Sequence, residues 1–191
     1  MKDFTVSIGK YLETLKRTVN NLNTSEINQF LNLLCEAREN GRQIFIMGNG
    51  GSAATASHFA TDFNKGASYG IDNLKRFKFI CLNDNVSTMM AYANDTAYSE
   101  IFVEQLKNFF NPGDLVIGIS GSGNSENVIK AIEFAGTNGG ITVGLCGYNG
   151  GKLKKAAAYS VHINIDDMQI VEDLHMMLDH LSMKVICDNA G

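Results

Sequence analysis

The stretch of residues 44–62 constrains the fold of this chain more than any other. Its apolar run Ile44–Met47 has the length of a buried strand. Residues 48–51 (Gly-Asn-Gly-Gly) follow, and their glycines allow positive φ and a close approach of the backbone to a ligand. The small residues Ala53–Asp62 then predict a helix capped by Ser52. A strand, a glycine-rich loop and a helix N-terminus in this order are typical of an anion-binding site.

A second stretch repeats this design further along the chain. Leu115–Ile119 is again an apolar run, and Ser120–Ser125 (Ser-Gly-Ser-Gly-Asn-Ser) provides three hydroxyl groups and two glycines. A helix is predicted from about Glu126 to Ala135. Hydroxyl groups and loop amides bind a phosphate without a lysine or an arginine. The two loops therefore predict a site for the phosphate of a small metabolite.

The rest of the chain predicts helices and strands in alternation. Two amphipathic helices, over residues 4–22 and 26–40, precede the first strand. We expect an α/β fold with a doubly wound, five-stranded parallel sheet flanked by helices, in one domain over residues 1–191. Residues 1–41 would form a helical segment and 42–191 the α/β core. The other predicted segments are strands at Phe77–Leu82, Ile141–Cys146 and Tyr159–Ile165, helices at 85–92, Ser99–Phe110 and Gln169–Asp188, and a polar surface excursion at Asn64–Arg76.

Charge and composition exclude several classes of partner. The net charge of −4 argues against nonspecific binding to nucleic acid or to an anionic membrane surface. The first residues lack the layout of a signal peptide, and no apolar run approaches the length of a membrane span. A cytoplasmic location is therefore expected. The four cysteines lack CxxC spacing, which predicts free thiols rather than disulfides or a zinc–thiolate site.

Two groups of polar side chains have spacings that suit catalysis or metal binding. His58 and Asp62, four residues apart, lie on one face of the helix that follows the first loop. On the final helix, Glu172 and His180 lie about 80° apart around the axis. Two histidines and two carboxylates suit a divalent metal such as zinc, general acid/base catalysis, or both. The alternative is a surface pair and a solvated helix face. Three further residues remain unassigned in either case: Asp173, His175 and Asp179.

Three segments of the sequence resemble the signatures of the sugar isomerase (SIS) domain family. They read GNGGSAATASH, GISGSGNSENVIKAIEFA and IVEDLHMMLDH, and their order and spacing are similar to the phosphoheptose isomerase branch. The resemblance covers nearly the whole chain. It implies conversion of sedoheptulose 7-phosphate to D-glycero-D-manno-heptose 7-phosphate through an enediol, for surface-polysaccharide precursors. It also implies a homotetramer with sites near the subunit interfaces.

The resemblance also implies roles for individual residues. The metal, expected to be zinc, would be held by His58, Asp62, Glu172 and His180, with Asp62 as the catalytic base and His180 as the acid. Glu172 is alternatively a substrate contact. The residues expected to bind the sugar phosphate are Asn49, Gly50, Gly51 and Ser52 in the first loop, Asn94 and Asp95, and Ser120, Gly121, Ser122 and Ser125 in the second loop.

Three positions depart from the family pattern. Gly121 stands where the phosphate loop often has threonine. Asp62 replaces the expected glutamate, which shortens the side chain by one methylene and withdraws a catalytic base by more than about 1 Å. Glu172 replaces the expected glutamine and so adds a negative charge beside the metal.

Two other functions compete with the isomerase. The first is a SIS protein that binds a phosphosugar or a protein partner without catalysis, like the relative that associates with the bacterial replication initiator. The second is a dinucleotide-binding oxidoreductase, because residues 48–53 formally fit G-x-G-x-x-A. In that case an acidic residue should follow about twenty residues on, but Asp84 lies later, and the serine-rich loop has no role.

Overall fold

A five-stranded parallel sheet lies at the centre of the structure, a computed structural model that describes residues 2–68 and 75–189. The strand order is β2-β1-β3-β4-β5, and every neighbouring pair is parallel. This confirms the predicted fold class. The strands are β1 (Ile44–Gly48), β2 (Phe79–Cys81), β3 (Leu115–Ser120), β4 (Ile141–Cys146) and β5 (Tyr159–His162).

Helices cover both faces of the sheet. Alternate residues of a strand point to opposite faces. Ile44 and Ile46 therefore lie in one apolar core with Phe59, whereas Phe45 and Met47 lie in the other. The helices within the described ranges are α1 (Thr5–Asn20), α2 (Thr24–Glu39), α3 (Gly51–Thr61), α4 (Val86–Asp95), α5 (Val103–Phe109), α6 (Glu126–Thr137), α7 (Leu153–Ala156) and α8 (Met168–Asp188).

The strand order places the two predicted loops side by side. β1 and β3 are neighbours, and Gly48 pairs with Ile119 near their carboxyl ends. After β1 the chain continues through α3 to β2 on one side, and after β3 through α6 to β4 on the other. This reversal opens a crevice at the carboxyl ends of β1 and β3, which is where ligands bind in open α/β sheets.

The structure differs from the prediction mainly at the sheet edges. β2 and β5 are shorter than the predicted strands. Each lies at an edge of the sheet and pairs with one neighbour only. A run of apolar residues does not show how many of them form hydrogen bonds with that neighbour. A 3₁₀ turn at Tyr98–Glu100 also precedes α5, so the helix predicted from Ser99 begins later, at Val103.

The segment after α3 was predicted as a surface excursion: residues 64–66 are exposed as predicted, but Ala67 and Ser68 are buried. A π-helical turn at Asp62–Gly66 extends α3, and the buried Phe63 packs on Phe59, Phe77 and Phe79. The Ser68 hydroxyl donates to the carbonyl oxygen of Phe63. Aromatic burial thus keeps this segment on the core. Residues 69–74 of the same prediction lie outside the described residues.

Helix α1 leaves much of its apolar surface uncovered. Phe4, Val6, Ile8 and Leu12 are all more than half exposed. The Tyr11 hydroxyl donates a hydrogen bond to the carboxylate of Asp173, which connects α1 to α8. Across the described part of the chain, no helix combines the length and the apolar character needed to cross a membrane. The four cysteines are free thiols, as predicted.

Candidate active site

The first loop connects β1 to α3 through glycines with distinct tasks. Gly50 has a φ of 57° and is the N-cap of α3, so the helix begins at Gly51. A Cβ on Gly48 would lie 2.7 Å from the Cβ of Ser52, so the first turn of the helix needs a glycine there. The prediction that Ser52 caps the helix is wrong. Because the helix starts earlier, Ser52 is its second residue and is buried.

The second loop gathers hydroxyl groups in front of α6. Ser125 is the N-cap of α6, and its Oγ lies 2.9 Å from the Oγ of Ser120 at the end of β3. The Oγ of Ser122 accepts a hydrogen bond from the backbone N–H of Asn124. At Gly123, with a φ of 68°, a Cβ would overlap the carbonyl of Gly150. The backbone is thus folded tightly around the N-terminus of a twelve-residue helix, a favourable place for an anion.

Two amide side chains join these loops directly. Asn49 of the first loop and Asn127 in the first turn of α6 hydrogen-bond to each other in both directions, each bond at 2.9 Å. The hydroxyl of Tyr98 also donates to Asn49 Oδ1 at 2.8 Å. Sequence reasoning missed Asn127 and Tyr98. The signal in the sequence was a polar residue, Asn127, beside Val128, Ile129 and other residues of the apolar face of α6. A polar side chain at such a position needs a hydrogen-bond partner.

Four ionisable side chains converge where α3 meets α8. The Nε2 atoms of His58 and His180 lie 3.2 Å apart, and His58 Nε2 lies 3.6 Å from Asp62 Oδ2. Asp179 completes the group, and one ligand atom from each of the four residues lies within 4.8 Å of all the others. The structure therefore brings together three of the four expected metal ligands, His58, Asp62 and His180. Within the described residues, the fourth member of this cluster is Asp179 rather than Glu172.

Asp179 is the least expected member of the cluster. It is 0% exposed, and neither of its carboxylate oxygens has a hydrogen-bond partner. Burial, and then the neighbouring charge of Asp62, raise the pKa of Asp179 to about 8. A buried carboxylate without a partner is costly to keep. Together with two imidazoles and a second carboxylate, it makes a donor set that suits zinc.

Comparison with known proteins identifies the family. A model of the SIS domain matches residues 9–147. The chain belongs to the SIS domain family. The probable phosphoheptose isomerase of Thermoplasma acidophilum is 35% identical over 177 residues, which are 93% of this chain and 96% of that relative. The phosphoheptose isomerase of Helicobacter pylori strain P12 is 37% identical over 176 residues, or 92% of this chain and 88% of that relative.

Solved structures agree with this assignment to the SIS domain. A phosphoheptose isomerase from Francisella tularensis superposes with a TM-score of 0.88 at 25% identity, over 98% of this chain and 100% of that one. The phosphoheptose isomerase GmhA from Neisseria gonorrhoeae gives a TM-score of 0.87 at 25% identity, over 96% of this chain and 98% of that one. The similarity therefore includes the N-terminal helices as well as the sheet.

Glu172 lies at the glycine loop of this SIS domain. Both of its carboxylate oxygens would lie 2.7 Å from a Cβ on Gly51, so they are packed against the first residue of α3. A negative charge is favourable at a helix N-terminus. Because Gly51 has no side chain, the carboxylate reaches the backbone that lines the predicted sugar phosphate site.

The structure explains one departure from the SIS pattern. A Cβ on Gly121 would overlap the sulfur of Met168, the first residue of α8. Threonine therefore does not fit at this position while Met168 keeps its place. The predicted substrate contacts Asn94 and Asp95 lie at the end of α4, where both are exposed and Asn94 donates to Asp95 at 2.8 Å.

His175 is a second buried group on α8 that the sequence left unassigned. It is 1% exposed, and neither ring nitrogen has a hydrogen-bond partner. Burial lowers the pKa of His175 to about 4, and a polar interaction with the backbone of Cys146 opposes this shift. His175 is therefore a neutral imidazole at neutral pH.

Proposed function

We propose that this SIS domain protein is an aldose–ketose isomerase that converts sedoheptulose 7-phosphate to D-glycero-D-manno-heptose 7-phosphate through an enediol. The observation that carries the proposal is the convergence of His58, Asp62, Asp179 and His180 at the end of α3, the helix that begins at the glycine loop. Relatives named phosphoheptose isomerase that align over nearly the whole chain support it. The product would supply heptose for surface polysaccharides.

The proposed organisation is one SIS domain over residues 1–191, with a helical segment at 1–41 and an α/β core at 42–191. We propose that it acts as a homotetramer in the cytoplasm, with its sites near the subunit interfaces. The exposed apolar side chains of α1 support association, because a contiguous apolar surface gains from burial against a second copy. The sequence features that argue against nucleic-acid and membrane partners support a small-molecule substrate.

In this proposal the two loops hold the sugar phosphate. Ser120, Ser122 and Ser125 offer hydroxyl groups, and Gly121 offers its backbone, to the phosphate in front of α6. The first loop, from Asn49 to Ser52, binds the sugar chain, with Asn94 and Asp95 as further contacts. Anchoring the phosphate fixes the reacting carbons relative to the ionisable groups. Part of the entropic cost of reaching the transition state is then met when the substrate binds.

The proposed reaction moves protons between adjacent atoms of the open-chain sugar. The carboxylate of Asp62 removes a proton from C1 of the ketose, and the resulting carboxylic acid returns it at C2. His180 gives a proton to the oxygen on C2 and accepts the proton from the oxygen on C1. The enediol forms and collapses without a net change in charge, and the carbonyl group moves from C2 to C1.

Zinc is the proposed cofactor, at one ion per chain. His58, Asp62 and His180 would hold it, and it would polarise the carbonyl and hydroxyl oxygens of the substrate as a Lewis acid. Of the two roles expected for Glu172, metal ligand or substrate contact, we assign it the substrate contact. Its carboxylate packs on Gly51 in the glycine loop, which supports a contact with the sugar hydroxyls.

The test of this proposal is turnover of sedoheptulose 7-phosphate by zinc-loaded protein, with the product identified by chromatography against a heptose 7-phosphate standard. The control is His180→Ala, purified in parallel, because a contaminating isomerase would remain in that sample. Activity in the wild type that disappears in the variant supports the proposal. Wild-type protein that binds the sugar phosphate but does not turn it over contradicts it and favours a non-catalytic binding protein.

A further inference from the structure

The carboxylate of Asp179 has no explanation within the proposed reaction. It lies on α8 between Leu178 and His180, on the face of the helix that packs into the protein. Its two oxygens are fully buried and lack any hydrogen-bond partner. A charge in such a place is retained only when something compensates it, since burying an unpaired carboxylate destabilises the fold.

The neighbours of Asp179 provide no such compensation. His58, Asp62 and His180 surround it, and the negative charge of Asp62 opposes ionisation of the Asp179 carboxyl. The two imidazoles direct their Nε2 atoms at one another, 3.2 Å apart, rather than at the carboxylate. Four groups that are all electron-pair donors, gathered without a cation among them, are arranged for a shared positive ion.

We propose that Asp179 is the fourth ligand of the metal site, in the place that the family pattern gives to residue 172. This inference rests on the proposed function, because it concerns the metal of the same site. It makes the donor set His58, Asp62, Asp179 and His180, two imidazoles and two carboxylates, and a substrate oxygen would enter as a fifth ligand, a coordination number that zinc can reach. Two carboxylates balance the charge of one divalent cation, and the otherwise uncompensated carboxylate of Asp179 gains its partner.

The measured separations agree with this donor set. Four ligands at about 2.0–2.1 Å from a tetrahedral zinc ion lie about 3.3 Å from one another. The His58–His180 and His58–Asp62 separations, 3.2 and 3.6 Å, are close to that value. All four groups lie within 4.8 Å, so the widest pair needs to close by only about 1.5 Å, within reach of side-chain rotation.

The same geometry accounts for an aspartate at position 62 in place of a longer glutamate. The shorter side chain withdraws from the centre of the cluster, and Asp179 brings a second carboxylate to it from α8. Glu172, in contrast, is engaged at Gly51 on the loop side of α3. These two acidic residues of α8 thus have different tasks: Asp179 faces the metal and Glu172 faces the sugar.

The experiment compares metal binding in the full-length wild type, Asp179→Asn, Asp179→Leu and Glu172→Gln. Zinc affinity is measured by competition with a chromophoric chelator, and the ligand field by the visible absorption of the cobalt(II) form. Unfolding midpoints are recorded with chelator and with excess zinc. Glu172→Gln is the matched control, because it neutralises a carboxylate of α8 that is assigned to the substrate and not to the metal.

We expect Asp179→Asn to weaken zinc binding by more than about 100-fold and to change the cobalt spectrum, since even outer-sphere partners of metal ligands are worth 10–100-fold. Glu172→Gln should keep the wild-type spectrum and an affinity within about threefold, well below that outer-sphere range. Asp179→Leu should raise the metal-free unfolding midpoint, because it removes a buried carboxyl group that has no hydrogen-bond partner, and should abolish stabilisation by zinc.

Three outcomes overturn the inference: wild-type protein that binds no zinc, Asp179→Asn with wild-type affinity and spectrum, or Asp179→Leu that is less stable than metal-free wild type. Turnover of sedoheptulose 7-phosphate is measured separately on the same samples. Turnover together with zinc retained by Asp179→Asn overturns this inference alone. Zinc bound through Asp179 without turnover contradicts the proposed function alone.

Discussion

Asn49 and Asn127 pair their side-chain amides in both directions, with both bonds at 2.9 Å, across the crevice between β1 and β3. Asn127 is 2% exposed, whereas Asn49 borders the loop that is expected to bind the sugar. This pair fixes the spacing between the two loops of the proposed substrate site. We therefore expect it to position the substrate without taking part in proton transfer.

The first prediction concerns this amide pair. Asn127→Leu should raise KM for the sugar phosphate by about tenfold, since loss of a hydrogen-bonded pair that fixes the loops costs on the order of 1–2 kcal/mol. The value of kcat should change much less, because the proton-transfer groups are elsewhere. Steady-state kinetics on the two variants Asn127→Leu and Tyr98→Phe measures this. Tyr98→Phe removes only the exposed bond to Asn49, and an equal effect of the two variants would contradict the role of Asn127.

The second prediction concerns the packing of Glu172 on Gly51. Gly51→Ala places a Cβ 2.7 Å from the carboxylate oxygens and should destabilise the protein, although alanine is otherwise the better helix residue. Glu172→Ala should remove this penalty. A double-mutant cycle from urea unfolding should give a coupling of at least about 1 kcal/mol.

The control for that cycle is Gly50→Ala. Gly50 has a φ of 57°, and a Cβ at this position would have nothing within 4 Å, so alanine there is strained by about 1–2 kcal/mol whichever residue occupies position 172. Coupling of Glu172→Ala to Gly50→Ala as strong as its coupling to Gly51→Ala would contradict the contact.

The sequence predicts the central strands and both loops because their signals are local. The apolar runs of β1, β3 and β4 match the observed strands closely, since a strand buried on both faces reads as a continuous apolar run. The approach of His58 and Asp62 also follows from the helical period alone. The extra ladder residues predicted for β2 and β5 are absent because pairing depends on neighbours that are distant in sequence.

Asp179 could not be predicted because its burial depends on tertiary packing. An aspartate on a helix is usually exposed, and only the contact of α8 with α3 places this one among His58, Asp62 and His180. A signal was present, since Val171, His175 and Asp179 recur every four residues on the apolar face of α8. A charged residue on that face indicates either a cost to stability or a site.

The third prediction concerns the pH dependence of stability in metal-free protein. Burial lowers the pKa of His175 from 6.5 to about 4, so between these values the unfolded chain binds a proton that the folded protein does not. Stability from this group is complete above pH 6.5 and falls as the pH falls toward 4. The loss should reach about 3 kcal/mol relative to His175→Leu.

Urea unfolding of both proteins between pH 4 and pH 7.5, with chelator present, measures this difference. The carboxyl of Asp179, whose pKa is raised to about 8, acts in the opposite direction, because its contribution is lost as the pH rises. It is present in both proteins and cancels in the comparison. Parallel pH profiles for the wild type and His175→Leu would contradict the prediction.

The fourth prediction concerns removal of the metal. Dialysis against a chelator should abolish turnover, and one equivalent of zinc should restore it. The unfolding midpoint should fall on chelation, because an excess of zinc at about 100 times its Kd stabilises a specific site by about 2.7 kcal/mol. Full activity in protein shown to be metal-free by elemental analysis would contradict the zinc proposal.

The fifth prediction separates the two tasks proposed for Asp62, metal ligand and base. Asp62→Glu keeps a carboxylate in the cluster but extends it by one methylene, which should move the base by about 1 Å from its place at C1 and lower kcat by about 100-fold. Zinc affinity should stay within about tenfold, since three of the four ligands are unchanged and the donor atom type is the same. Asp62→Asn should lower both kcat and the affinity for zinc.

Steady-state kinetics on zinc-loaded samples, with zinc content checked for each, distinguishes these results. If Asp62→Glu retains full kcat, proton removal does not depend on the position of this carboxylate, and the base must be sought elsewhere in the cluster.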